Sequence, residues 1–403
     1  MAISWKKKFK PQVILDSVEK VRIVSPDGGT TFSGFEIHES LPALQSMLDF
    51  PSLADDLDKS FLVWRAISTV SGKLTQDSFL LAINNVFIAQ TATSLQPYKI
   101  LTSISLAPDG LPLTGKMCGS EWRLLNSDFP QKFVERQSAL TEANIPVDPT
   151  PNSYARVIIS VKAKSSYQAM TKALRTIDIQ RGVWCLLGNV RMEFVGIEWT
   201  PINVVRLGGA HTVHLPDGTP APSAVWFEPN YATAQPFRPA NIQVFKKNSA
   251  YVLRRIFASR YSERLCEALL RFVRALDERD QNHALIKLWG ALEELTCPDS
   301  ANYELLTRRC SYCFKDTQYH RQMLEHLREY RNQAVHAGNS GTSAKTHCFQ
   351  LQYYFFQLFF FHLRNVKVFS SLDEANQFLD LPVDKESLLF RKRMVEKAIR
   401  FVS

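Results

Sequence analysis

Two residues of this chain have types and spacing suited to chemistry, Arg331 and His336, in the run Glu329-Tyr330-Arg331-Asn332-Gln333-Ala334-Val335-His336-Ala337-Gly338. Histidine, with an ordinary pKa of about 6.5, has both a proton to give and a site to receive one near neutrality. Arginine stays charged and presents a planar fork of donors that matches two oxygens of a phosphate. Together they suit acid–base chemistry at phosphorus. Five positions is an awkward spacing on a helix, whose surface neighbours lie three or four apart. If the two side chains meet, their helix must end between or just beyond them, and Gly338, followed by Asn339-Ser340-Gly341, is the expected terminator. The same residues also fit an ordinary helix C-terminus, where the macrodipole favours cations.

The elements that must position the pair are helical. The pattern R-x4-H with a polar residue straight after the arginine, here Arg331-Asn332, resembles the signature of the HEPN superfamily of helical-bundle nucleases and nucleotide-binding proteins. An upstream segment, Ala284-Leu285-Ile286-Lys287-Leu288-Trp289-Gly290-Ala291-Leu292-Glu293-Glu294-Leu295, is similar to that family's preceding helix. Glu293 falls where the family often carries an acidic residue. The resemblance covers roughly residues 250 to 366 and rests on the motif together with its flanking helices.

Cleavage of RNA by its own ribose 2′-oxygen needs a base for the hydroxyl, a cation for the pentacovalent state and an acid for the leaving 5′-oxygen. One chain offers a single candidate of each kind, whereas a two-fold dimer would bring two Arg331 and two His336 to a shared cleft. The resemblance implies the same dimeric, metal-independent arrangement. Asn332 would position the phosphate or the histidine, and Glu293 would orient Arg331 or else be a solvated helix charge. The expectation is an endoribonuclease with catalytic residues Arg331, His336, Asn332 and Glu293, an RNA substrate, no cofactor and no metal. The alternative is a non-catalytic HEPN module that binds nucleotide or a protein partner. Some relatives are toxins controlled through a tyrosine two residues after the histidine, a position held here by Gly338, so that route is not expected. The overall plan is more similar to the ApeA-like HEPN proteins of bacterial anti-phage defence. That resemblance implies an abortive-infection effector whose N-terminal part meets a phage-derived trigger or regulatory partner.

Composition sets the frame. The 403 residues make two domains the default, and 45% hydrophobic with 22% charged residues describe a globular protein. A formal charge of +9 hints at an anionic partner, although no basic run reads as a nucleic-acid tail. Seven irregularly spaced cysteines argue for a reducing compartment rather than a disulfide scaffold. Cys310 and Cys313 are half of a zinc motif and are more simply read as buried small hydrophobes. Trp5-Lys6-Lys7-Lys8 runs into charge where a signal peptide would be apolar, so a cytoplasmic protein is expected.

The fold class expected is multidomain: an α+β module over residues 1–235, then an all-α helical bundle over residues 241–403. In the first, hairpin chemistry is read over residues 11–38, strands at 61–70, 98–106, 154–163, 192–199, 203–207 and 224–227, and helices at 76–90 and, capped by Ser165-Ser166, to about 180. Gly208-Gly209-Ala210-His211 reads as a turn between strands rather than a phosphate loop. Ala232 to Pro239 is a linker by composition. Helices are then expected at 250–279, 282–295, 302–313, 317–330, 343–365 and 385–401. The fifth of these carries Tyr353-Tyr354-Phe355-Phe356-Gln357-Leu358-Phe359-Phe360-Phe361. It is too short in its apolar run to span a bilayer and too apolar to be covered on one side only. A homodimer seam at Tyr353, Phe356 and Phe360 is the expected use, with cover by the final helix or the N-terminal module as the rival.

Overall fold

The structure is a computed structural model that describes residues 2–25, 29–55, 57–107, 109–145, 148–193, 200–299, 302–337 and 343–402, without the side chains of 335–337. The chain opens with β1 (Ser4–Trp5), α1 (Pro11–Val21), β2 (Arg22–Val24), β3 (Thr30–Phe32), α2 (Glu36–Met47), β4 (Leu48–Asp49), α3 (Lys59–Thr69) and α4 (Gln76–Ala92). Residues 11–21, expected as part of a hairpin, are helical: Pro11 sits in the first turn, where its missing N–H costs nothing, and Leu15 and Val18 are buried three apart. The hairpin survives only as β2 paired with β3, and its expected turn at 26–28 lies outside the described residues. Residues 61–70 are likewise a helix rather than a strand. The Asp58 carboxylate caps it by accepting from the Phe61 N–H at 2.9 Å, and Leu62, Val63, Ala66 and Ile67 are buried at helical spacing. The β-branched and aromatic residues that suggested a strand serve here as core.

Next come β5 (Gln96–Ile104), β6 (Thr114–Met117), β7 (Ser120–Leu125), α5 (Arg136–Glu142), β8 (Ala155–Ala163), α6 (Ser166–Gly188), β9 (Ala210–His214) and β10 (Pro220–Phe227). The strands form one six-stranded antiparallel sheet in the order β10-β9-β5-β8-β7-β6. Of the expected strands, 203–207 reduces to a single bridge between Leu207 and Ile104. The expected strand at 192–199 falls mostly outside the described residues, and Ala210 and His211 open β9 rather than complete a turn. Along β8, Ala155, Val157, Ile159, Val161 and Ala163 are buried and the residues between them are more open, so the sheet has one covered face. Helix α6, capped by Ser165, covers it.

The last region is helical: α7 (Ile242–Ala258), α8 (Ser262–Leu276), α9 (Gln281–Thr296), α10 (Tyr303–Tyr312), α11 (Thr317–Ala337), α12 (Ala344–Arg364), α13 (Leu372–Leu379) and α14 (Lys385–Val402). The helix expected over 250–279 is broken at Ser259-Arg260-Tyr261 into α7 and α8. Residues 331–337 continue α11 instead of forming a turn, because no glycine or proline interrupts them before Gly338. None of the described helices is long and apolar enough to cross a membrane.

Two hydrophobic cores result, and their boundary differs from the break in composition. One gathers Ile3 to Phe87 from the first four helices. The other runs from Ile100 to Leu379, uniting the sheet, α6 and the C-terminal helices. The proline-containing linker is stitched into this second core: the Phe237 N–H donates to the Ser105 carbonyl at 3.0 Å and the Ala107 N–H to that of Phe237 at 3.1 Å. Aromatic α12 buries Phe349, Tyr354, Phe355, Leu358 and Phe359. Phe361 meets Phe369 and Phe378 at 5.9 and 6.0 Å, so the segment around α13 covers part of that helix. The final helix does not, since none of the residues of α14 is buried. Tyr353 remains 46% exposed, beside Phe356 and Phe360, whose rings stack at 4.3 Å.

A buried ionic cluster joins sheet and helices. Arg181 on α6 is fully buried, and all five of its N–H donors are used: two on Asp277 at 2.7 Å each, two on Asp178 at 2.8 and 3.1 Å, and one on the Val205 carbonyl at 3.1 Å. Arg274 bridges Asp178 to Glu228, meeting both Glu228 oxygens at 3.0 Å. Gly182 beside Arg181 permits the close approach, because a Cβ there would lie 2.9 Å from Cγ of Leu269 on α8. Replacing Arg181 with Met leaves Asp277 buried without its counter-charge and is expected to cost about 3–5 kcal/mol. Chemical denaturation reads this, and an unchanged midpoint would rule the interlock out.

Glu228 adds a pH dependence. Burial alone would raise its carboxyl, but His211, with Nε2 at 3.5 Å, and Arg274 hold it at about 2, against 4.5 for a free glutamate. Because the folded value is depressed, the stabilisation is present above about pH 4.5 and is lost as the pH falls towards about 2. Tryptophan fluorescence against pH is expected to show this limb in the parent and a shallower one in Glu228→Gln.

Candidate functional site

The predicted site residues lie on two helices, α9 and α11, joined by α10. Asp280 caps α9 by accepting from the Asn282 N–H at 2.8 Å, and Leu285, Leu288, Trp289 and Leu292 turn its apolar face to the core. Asn302 caps α10 in the same way through the Leu305 N–H at 3.1 Å. Glu293 and Arg331 face one another across this frame.

Arg331 is the distinctive group. Its guanidinium lies over the Tyr303 ring at 5.1 Å, and its Nε is buried without a hydrogen-bond partner. Among the described residues its one side-chain hydrogen bond is from Nη1 to the Asn332 amide oxygen, at 3.1 Å. It has no carboxylate partner among the described residues, in contrast to most half-buried arginines of the helical region, and it also lacks the two backbone carbonyls, of Leu363 and Arg364, that take up Arg255. Arg274 has Asp178 and Glu228, Arg309 has Asp380, and Arg328 has Glu325. A partly desolvated cation held on an aromatic face, with donors unspent, is suited to receive an anion.

Glu293 sits close enough to sense that charge without forming an ion pair. Burial pushes its carboxyl above the ordinary glutamate value, while Arg331 and then Arg271 pull it back. Its neighbour in sequence, Glu294, is the residue that makes ion pairs, with Arg264 and Arg271, each at 3.0 Å. Glu293 is therefore a half-buried carboxyl with a raised pKa beside an unpaired arginine, a description that suits either a positioning group or a proton carrier.

Arg331, Asn332 and Glu293 are thus brought together. His336 lies on the same continuous helix, and five residues correspond to about 140° of rotation around its axis. Its side chain and the expected terminator Gly338 lie outside the described residues. Four aromatic neighbours were not singled out from sequence. Tyr303 supports Arg331, and His326 and His347 meet edge-on at 5.2 Å, with Tyr330 packed at 4.4 Å against His347. Burial lowers the His347 pKa. Only folding places these side chains together, so no spacing signal pointed to them. Groups of His, Cys, Asp and Glu able to hold a metal are absent among the described residues. Cys310 and Cys313 are free thiols, and burial pushes Cys313 up to about 12.

The proximity of Glu293 to Arg331 has a measurable consequence. Since Arg331 lowers the Glu293 carboxyl, Arg331→Gln is expected to raise it, as followed by NMR of the glutamate side-chain carboxyl carbon against pH. A titration unmoved by the substitution would mean that the two groups do not share a site.

No protein-family model matches this chain, and neither the curated proteins nor the solved structures give a significant match.

Proposed function

We propose that the protein is a metal-independent endoribonuclease of the HEPN type. The observation that carries the reading is Arg331: a half-buried guanidinium seated on Tyr303, tethered to Asn332 and without a carboxylate partner among the described residues, in the motif where a phosphate-binding arginine is expected. In this scheme Arg331 binds the scissile phosphate and stabilises the phosphorane through its unspent donors. His336 moves the protons, taking one from the 2′-hydroxyl in one chain and giving one to the 5′-oxygen from a second chain. Asn332 acts by orienting the guanidinium that it accepts from. Glu293 tunes Arg331 from α9.

Two chains supply base and acid from one sequence, and the exposed Tyr353 beside Phe356 and Phe360 is the surface assigned to that pairing. The resemblance to ApeA-like proteins extends the proposal to an abortive-infection effector acting on RNA in the cytoplasm, with the N-terminal region receiving the trigger. The continuity of α11 favours the second reading, a non-catalytic module that binds nucleotide. On one helix, positions 331 and 336 do not share a face.

Incubation of the purified full chain with total RNA in EDTA separates the two. Cleavage is expected to leave 2′,3′-cyclic phosphate and 5′-hydroxyl ends, to spare an all-2′-deoxy substrate, and to fall by roughly a hundredfold or more in His336→Ala and in Arg331→Ala. Either variant cutting as well as the parent removes that residue from catalysis. A chain that binds RNA or nucleotide but never cuts supports the second reading.

A further inference from the structure

The two faces of the six-stranded sheet are used differently. One is covered by α6, and the other is open between β5 and β6. The strand register sets up rows across this open face: Lys99, Ser160, Glu121 and Lys116 lie in one line across β5, β8, β7 and β6, and Ile158, Arg123 and Thr114 in the next. The segment Pro130 to Phe133 rises beside them, with Phe133 edge-on to His214 at 5.3 Å. Together they enclose a concavity of about 610 Å³, whose lining includes Lys99, Lys116, Arg123, Lys132, Pro130 and Ile158. That volume lies within the roughly 300–1,000 Å³ of small-ligand clefts.

Its charge is unbalanced. Among the described residues, only Lys116 of the four cations has a carboxylate, Glu121 at 3.0 Å, which also lines the hollow. Lys99 bonds the Ser160 hydroxyl at 2.7 Å and Lys132 the Pro216 carbonyl at 2.9 Å, both neutral acceptors. Arg123 makes no hydrogen bond or ion pair among the described residues. Three positive groups therefore converge on one hollow without a counter-charge of their own, an arrangement that focuses field on an anion of more than one charge. Arg123 brings a fork suited to phosphate oxygens. Pro130, Phe133 and Ile158 add apolar surface beside the cations, which a bare polyphosphate would leave unused.

We propose that this open face of the sheet, at Lys99, Arg123 and Lys132, is a binding site for a nucleotide carrying two or more phosphates. The site is separate from that of Arg331, because α6 and the sheet itself stand between the hollow and the C-terminal helices. Phosphate would sit among the three cations and the base against Pro130 and Ile158.

Calorimetric titration of the full chain in EDTA, with ATP, UTP, tripolyphosphate, adenosine and an unphosphorylated hexauridylate as probes, tests this. ATP or UTP is expected to bind, tripolyphosphate to bind at least roughly tenfold more weakly, and adenosine not at all at about 1 mM. The surface double variant Lys99→Gln/Arg123→Gln is expected to lose at least roughly tenfold in nucleotide affinity, and Arg331→Ala to lose none. Circular dichroism of the double variant confirms that its fold is kept. The proposal is overturned if neither nucleotide binds at about 1 mM, or if tripolyphosphate or the hexauridylate binds as tightly as the nucleotides. It is equally overturned if binding survives in the double variant and is lost in Arg331→Ala, which would move the nucleotide to α11.

Discussion

Everything else in the larger core depends on the buried pairing of Arg181 with Asp277. A guanidinium removed from water is tolerable only when its charge is matched and each donor is used, and here both conditions are met by groups from different parts of the chain. Asp178 comes from α6 itself, Asp277 from the end of α8, and the carbonyl from Val205 on the way to the sheet. Asn203 then donates to Asp277 at 2.7 Å and to the Val273 carbonyl at 2.6 Å. These directional contacts select one register of α6 against α8. A fragment starting at Asn241 would strip α6 from α8 and leave Asp277 without its buried counter-charge.

From that register the position of Arg331 follows in steps. α8 packs along α9, and α9 presents Trp289, fully buried, and Glu293 one turn later. Trp289 meets the Tyr303 ring edge-on at 6.4 Å, and Tyr303 supports the Arg331 guanidinium. A substituent that shifted α6 on α8, such as a side chain at Gly182, would therefore be felt at Arg331 through the apolar α8–α9 contact and the ion pairs of Arg264 and Arg271 with Glu294. The last step, from Trp289 through Tyr303 to Arg331, is aromatic, so it takes up none of the arginine's N–H donors.

Much of this was legible in the sequence, and the failures have physical causes. Ser165 announced a helix because a short polar side chain ahead of an apolar period is a cap wherever it occurs. The strand at 154–163 was legible because one face is buried and one more open, so its residues alternate. By contrast, 98–106 lies mid-sheet with Ile100 to Leu106 all buried and was legible from its β-branched and aromatic content. Residues 61–70 misled because a helix buried on a broad face shows the same Phe, Val and Ile content as a strand, and only the Asp58 cap distinguishes them. The merging of sheet and helices into one core was invisible, since Arg181, Asp178 and Asp277 look like surface charges until their partners are known. At the site, Arg331, Asn332 and Glu293 were legible from motif and spacing. Tyr303 was not, because its contact with Arg331 spans 28 positions and is created by the turn between α10 and α11.

The continuity of α11 also changes what the arginine and histidine can mean together. Had the helix ended at Tyr330, a turn would have allowed both side chains to reach one phosphate from a single chain. With the helix running to Ala337, backbone positions 331 and 336 diverge by about 140° around its axis. In the proposed chemistry convergence then requires a second α11, with the arginine of one chain and the histidine of the other on the same side of the seam. The need for two chains had followed from counting one base and one acid. Helical geometry leads to the same requirement independently, and under the proposed function it would tie activity to assembly rather than to the shape of one chain.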